Sequence, residues 1–106
     1  MSLLIREKTS GAVLATADEP SPGVVRYEGN LYFAPEAVSA DALRLTERTY
    51  TCPSKGTCHW VDYVSPDGQT VPDVAWVYDR PKPGHEAIQG RYGFYAGTRG
   101  ATRQEA

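Results

Sequence analysis

The stretch TCPSKGTCHW, Thr51 to Trp60, gathers both cysteines of the chain, one of its two histidines and a lysine. Such a set can hold a zinc ion, close a disulfide, or present a reactive thiolate beside a cation. Zinc needs four ligands in tetrahedral array, usually as two closely spaced pairs such as Cys-x-x-Cys. Here five residues separate Cys52 from Cys58, and His59 adjoins Cys58, so in a strand those two point to opposite faces. His85 is the remaining soft ligand, and neither a metal nor a cofactor is expected. A disulfide is geometrically possible if the loop reverses the chain, but a reducing compartment opposes it. A thiolate has more support, because Lys55 lies three residues beyond Cys52 and a nearby cation lowers a thiol's pKa. Against this stands an architectural reading: Pro53 and Gly56 shape a tight turn, Cys52 is a small buried residue and Lys55 is solvated.

The elements that position these residues belong to one small domain. At 106 residues the chain supports a single modest core, and its 41% hydrophobic and 23% charged content is that of a folded protein. A net charge of -2, with basic residues scattered rather than striped, argues against nucleic acid as a partner. No apolar run approaches the roughly 20 residues needed to cross a bilayer. The opening MSLLIREKTSG has a three-residue apolar run without a positive segment before it, so no signal peptide is read and a cytoplasmic location is expected.

Gly and Pro punctuate short β-rich runs, the pattern of an all-β fold. GAVLATA (Gly11 to Ala17) and VVRYEG (Val24 to Gly29) flank DEPSPG, and LYF (Leu31 to Phe33) follows a turn at Gly29-Asn30. Pro35 to Leu43 reads as one or two helical turns with Ser39 as an N-cap, and Gly84 to Ile88 as another. HWVDYV and TVPDVAWVY around Asp67-Gly68 read as a hairpin. In its first arm Trp60, Asp62 and Val64 share a face; in its second arm Val74, Trp76 and Tyr78 do, with Pro72 at a bulge or an edge. RYGFYAG reads as a closing strand. The domain is expected over residues 1–97, with its core at about 11–97, and residues 98–106 as a flexible tail. The fold class is mainly β, a small bent antiparallel sheet with one or two short helical turns.

Three ordered motifs run through the chain: Cys-Pro-x-Lys-Gly at Cys52 to Gly56, Asp-x-Ala-Trp-x-Tyr at Asp73 to Tyr78, and Ile-x-Gly-x-x-x-Phe-Tyr at Ile88 to Tyr95. With VVRYEGNLYFAPEAV upstream, they resemble a bacterial family catalogued as domain of unknown function 427, over roughly Gly11 to Gly97. The family often has an aromatic where this chain has Ser54 and a small residue where it has Cys58, which sets Cys58 outside the shared pattern. The resemblance implies a β-tent-like fold, similar to methionine sulfoxide reductase B and the ligand-binding domain of cereblon. Many β-tents bind zinc through paired Cys-x-x-Cys motifs, which this sequence lacks. The family also stands under a nucleotidyltransferase heading. That chemistry uses closely placed carboxylates on magnesium, and the sequence shows neither an Asp-x-Asp pair after Gly-Ser nor a phosphate-cradling glycine loop.

On the strand reading, the Cys52 turn and the second hairpin arm are neighbours. Cys52, Lys55, Gly56, Asp73, Trp76, Tyr78 and Tyr95 are therefore the candidate ligand-binding residues, with Cys52, Lys55 and Asp73 the candidates for any catalysis. A thiol, an ammonium and a carboxylate among aromatic rings suit a small-molecule pocket, which is the expected function. The alternatives are an enzyme using Cys52 as nucleophile or redox thiol activated by Lys55, and a nucleotidyltransferase-like activity as the family heading suggests.

Overall fold

The computed structural model describes all 106 residues, Met1–Ala106. Ten strands form two antiparallel sheets. They are β1 (Ser2–Glu7), β2 (Val13–Asp18), β3 (Val24–Tyr27), β4 (Asn30–Phe33), β5 (Leu43–Cys52), β6 (Gly56–Val64), β7 (Thr70–Val77), β8 (Tyr92–Tyr95), β9 (Thr98–Arg99) and β10 (Thr102–Glu105). A four-stranded sheet runs β2-β1-β10-β9, and a six-stranded sheet runs β3-β4-β8-β7-β6-β5. Short 3-10 turns at Pro35–Ala37 and Glu86–Ile88 are the helical elements. The expected fold class is what the chain adopts, and no helix is long and apolar enough to cross a membrane.

Alternation along the strands builds the core. In β1 the buried positions are Leu3, Ile5 and Glu7, and from β4 Leu31 and Phe33 point the same way into the space between the sheets. Leu14, Val61, Ala75, Val77 and Phe94 complete that space, with Phe33 and Phe94 edge to face at 5.8 Å. Each buried Val, Leu, Ile or Phe side chain here contributes about 1.5–3 kcal/mol relative to exposure. Glu7 is buried at the edge of this core, and its carboxylate accepts from the Thr9 and Ser10 amides and the Ser10 hydroxyl.

Several local expectations need correction. Residues 98–106 do not form a flexible tail: β10 pairs with β1 from Leu4↔Glu105 to Glu7↔Thr102, and Thr102 is buried. Polar side chains hide this strand in the sequence, since its backbone rather than an apolar face ties it down. Ser39 caps no helix; its hydroxyl donates to the Val13 carbonyl, and the chain turns at once into β5. Strands β1 (Ser2–Glu7) and β5 (Leu43–Cys52) also lie outside the runs that the sequence marks as β. The β3–β4 reversal falls at Glu28-Gly29, both with positive φ, so Asn30 opens β4 instead of completing the turn.

The hairpin is present, closed by Gly68 donating to the Ser65 carbonyl, with positive φ at Gly68 and not at Asp67. Pro72 lies where the β6–β7 register shifts, between Val61↔Ala75 and Tyr63↔Val71, so it occupies a bulge as expected. That bulge moves Val74 off the Trp76 face and into the core beside Ala75.

Candidate functional site

The six-stranded sheet has a second side. Residues alternating with the core set point away from the four-stranded sheet and surround a concavity of about 350 Å³. Five adjacent strands each supply one aromatic ring: Tyr32 from β4, Tyr95 from β8, Trp76 from β7, Trp60 from β6 and Tyr50 from β5. Asn30, Cys52, Lys55, Cys58 and Tyr78 complete the lining.

Glycine placement decides how the rings lie. Trp76 pairs with Gly93 across β7 and β8, and a Cβ on Gly93 would stand 2.4 Å from the indole nitrogen. The bare backbone lets the indole lie across the sheet, where its N–H donates to the Tyr32 hydroxyl at 3.1 Å. Tyr95 leans on Trp76 at 4.9 Å, and Trp60 stands nearly perpendicular to Trp76 at 6.1 Å. Trp76, Tyr32 and Tyr78 are buried as a floor, whereas Tyr50 is 53% exposed at the mouth.

At one end of the cleft the Cys52–Gly56 turn is clamped from behind. The Lys82 amide donates to the Lys55 carbonyl at 2.8 Å and the Lys82 ammonium to the Pro53 carbonyl at 2.7 Å. Gly56 has φ 107 and lies under this clamp, so it shapes the turn and does not line the cleft. The Lys55 ammonium donates to the Glu28 carboxylate at 2.7 Å, reaching from one hairpin end to another. Its side chain is only 16% exposed, and the Glu28 hydrogen bond holds its pKa above the usual lysine value.

The two thiols differ sharply. Cys52 is half-buried, and its pKa is lowered to about 7. The Ser54 hydroxyl 3.4 Å from its sulfur is the largest cause, followed by the backbone N–H groups of Lys55 and Ser54; the Lys55 charge contributes least. The turn therefore stabilises a thiolate mainly through hydrogen bonds, and not through the cation beside it. Cys58 is 1% exposed, and burial pushes its thiol up. Burial likewise raises the Tyr32 and Tyr78 hydroxyls above the usual tyrosine range.

Of the residues expected here, Cys52, Lys55, Trp76, Tyr78 and Tyr95 come together, with Gly56 behind them. Asp73 does not. Antiparallel pairing of Trp60 with Trp76 carries Tyr78 toward the Cys52 turn and Asp73 toward the opposite end of the hairpin. There Asp73 is bulged outward at φ 59, and Arg48 bridges its carboxylate to that of Asp62. Asn30, Tyr32, Tyr50, Cys58 and Trp60 were missed. Trp60 and Tyr32 carried a signal, as large aromatics on strand positions alternating with the apolar core set; Tyr50 carried none, because β5 was not read as a strand. The histidines lie elsewhere, His59 near the Thr46 carbonyl and His85 bonded to the Tyr27 hydroxyl.

A family profile described as domain of unknown function (DUF427), under a nucleotidyltransferase-type label, matches residues 5–105. The chain belongs to this family, and the match takes in β10 as well as the three motifs. No curated protein matches the chain.

Proposed function

We propose that this member of the family binds a small planar ligand in the aromatic cleft, stacked among Trp60, Trp76 and Tyr95 with its polar edge toward Lys55, Asn30 and Cys52. One observation carries the reading: five neighbouring strands each place an aromatic ring on the sheet face that no second sheet covers. Tyr32, Trp76 and Tyr78 do pack with Cys58 and the fully buried Ile88, but the rings carry polar tips and, with Trp60, Tyr95 and Tyr50, stand around an open concavity. Apolar walls with a few convergent polar groups are the usual make-up of a ligand site. Lys55 lines the cleft while paired with Glu28, which lies outside the lining, so its remaining N–H groups can meet the polar edge of a neutral ring without breaking the pair.

Both tryptophans of the chain line the cleft, so intrinsic tryptophan fluorescence reports on it alone. A panel of planar heterocycles and aromatic carboxylates, scored by fluorescence and thermal shift, tests the reading. A ligand at 100-fold over its Kd adds about 2.7 kcal/mol of stability. Hits that survive unchanged in Trp60→Ala and Lys55→Met variants place binding elsewhere and defeat the proposal. Catalysis by Cys52 is the second reading, favoured by a thiol of pKa about 7 opening into the same cleft.

A further inference from the structure

Cys58 lies outside the motifs of the family resemblance, yet it forms part of the cleft floor, and the ligand reading gives it no work. We infer that Cys52 and Cys58 are a paired thiol site, in which Cys52 reduces a hydroperoxide entering the cleft and Cys58 resolves the product as an intramolecular disulfide. This inference stands apart from the ligand reading and does not need it.

Geometry supports the pair. β5 and β6 are adjacent, with Tyr50↔Cys58 and Cys52↔Gly56 as facing partners. The cysteines are thus diagonal neighbours on one face of the sheet, and the residue facing Cys52 is a glycine, with no side chain between them. Diagonal positions in an antiparallel pair have Cα atoms about 7–8 Å apart, with Cβ atoms somewhat closer. A disulfide usually spans about 4.4–6.8 Å at Cα, so closure requires a small shift of one cysteine. Cys52 is the better placed to make it: it is the last residue of β5 and half-buried, and the Lys82 clamp grips the Pro53 and Lys55 carbonyls beyond it and not Cys52 itself. Cys58 cannot, being locked inside β6 and almost fully buried. The half-buried thiol at the rim meets the oxidant, and the buried one waits below it.

The chemistry closes on itself. The Cys52 thiolate attacks one peroxide oxygen, the O–O bond breaks, and the departing alkoxide or hydroxide takes a proton; Cys52 is left as a sulfenic acid. The Cys58 sulfur then attacks the Cys52 sulfur, an S–S bond forms, and the sulfenic hydroxyl leaves with the Cys58 proton as water. The hydroperoxide gains two electrons and the two thiols lose them. An external dithiol returns the pair to its reduced form.

The test uses the full chain, reduced and freed of reductant, treated at neutral pH with one equivalent of hydrogen peroxide and followed by intact mass and thiol titration. Both thiols should disappear together, with loss of two hydrogens and no added oxygen, and dithiothreitol should restore them. In Cys58→Ser the reaction should stop at a Cys52 sulfenic acid that dimedone captures, while Cys52→Ser should resist the same treatment. The wild-type measurement decides the matter even if a variant misfolds. Persistent dimedone capture at Cys52 in the wild type, oxidation onward to sulfinic acid with Cys58 still titratable, or disulfides only between chains would each overturn the inference.

Discussion

The two faces of the six-stranded sheet are made by the same strands and differ in what they carry. On the inner face Leu31, Phe33, Val61, Ala75, Val77 and Phe94 meet the four-stranded sheet in a dry core. On the outer face their sequence neighbours Tyr32, Trp60, Trp76 and Tyr95, with Tyr50, surround an open cleft. Hydrophobicity alone does not separate the two sets, since Trp76 and Tyr32 are as buried as core residues. What separates them is polar tips and the lack of a covering sheet. One face has been filled for stability, and the other has been shaped around a space.

The sharpest way to break this contrast is to truncate one aromatic from each face. Phe94→Ala should cost about 3–5 kcal/mol in urea unfolding, as expected for a fully buried ring. Trp60→Ala should cost clearly less, because its ring is partly exposed at the cleft. Equal losses would make the outer cluster a second core and remove the case for a site.

Gly93→Ala is the next largest effect. Its methyl group cannot coexist with the indole of Trp76 at 2.4 Å, so the ring must move. A loss of about 1–3 kcal/mol is expected, together with a changed tryptophan emission. Unchanged emission would mean that Trp76 is not held against the glycine.

Thiol chemistry sharpens the contrast within the cleft. Alkylation at neutral pH should label Cys52 well before Cys58, since one pKa is lowered and the other raised. Thiolate is the reacting form, so with a pKa about 7 the Cys52 rate should climb through neutrality and level off above it. From pH 6 to pH 8 that is a rise of about tenfold, against continued growth beyond pH 8 for an ordinary cysteine. Ser54→Ala should slow labelling more than Lys55→Met, following the order of their effects on the thiol. The reverse order would return the dominant role to the lysine charge.

Asp73→Asn should do least. Its exposed carboxylate shares Arg48 with Asp62, an arrangement worth about 0–1 kcal/mol, and it touches nothing in the cleft. Altered tryptophan emission in this variant would show that the two ends of the hairpin are coupled.

Much of this comparison was legible in advance. Period-two alternation in LYF, HWVDYV and AWVY marks two faces before any partner is known, and Pro72 marks the bulge beyond which Val74 leaves the face its spacing gives it. The motif Cys-Pro-x-Lys-Gly marks a turn, and the groups that lower the Cys52 thiol there are mainly Ser54 and the turn backbone, where the sequence pointed to Lys55. Asp73 lies outside the cleft because strand direction separates the two ends of β7: the hairpin that brings Tyr78 to the Cys52 turn takes Asp73 away from it.

By itself, then, the chain determined the glycine turns and the direction of most side chains in β4, β6 and β8, because these depend on side chains spaced two apart and on glycines that accept positive φ. Tertiary structure alone decided which face is covered, that polar Thr102–Glu105 is laced between β1 and β9, that Lys55 meets Glu28, and that Cys58 shares a cleft with Cys52. Those outcomes rest on backbone hydrogen bonds and contacts between segments far apart in sequence. A strand's side chains record which way each one points; they carry no record of the partner that will lie beside it.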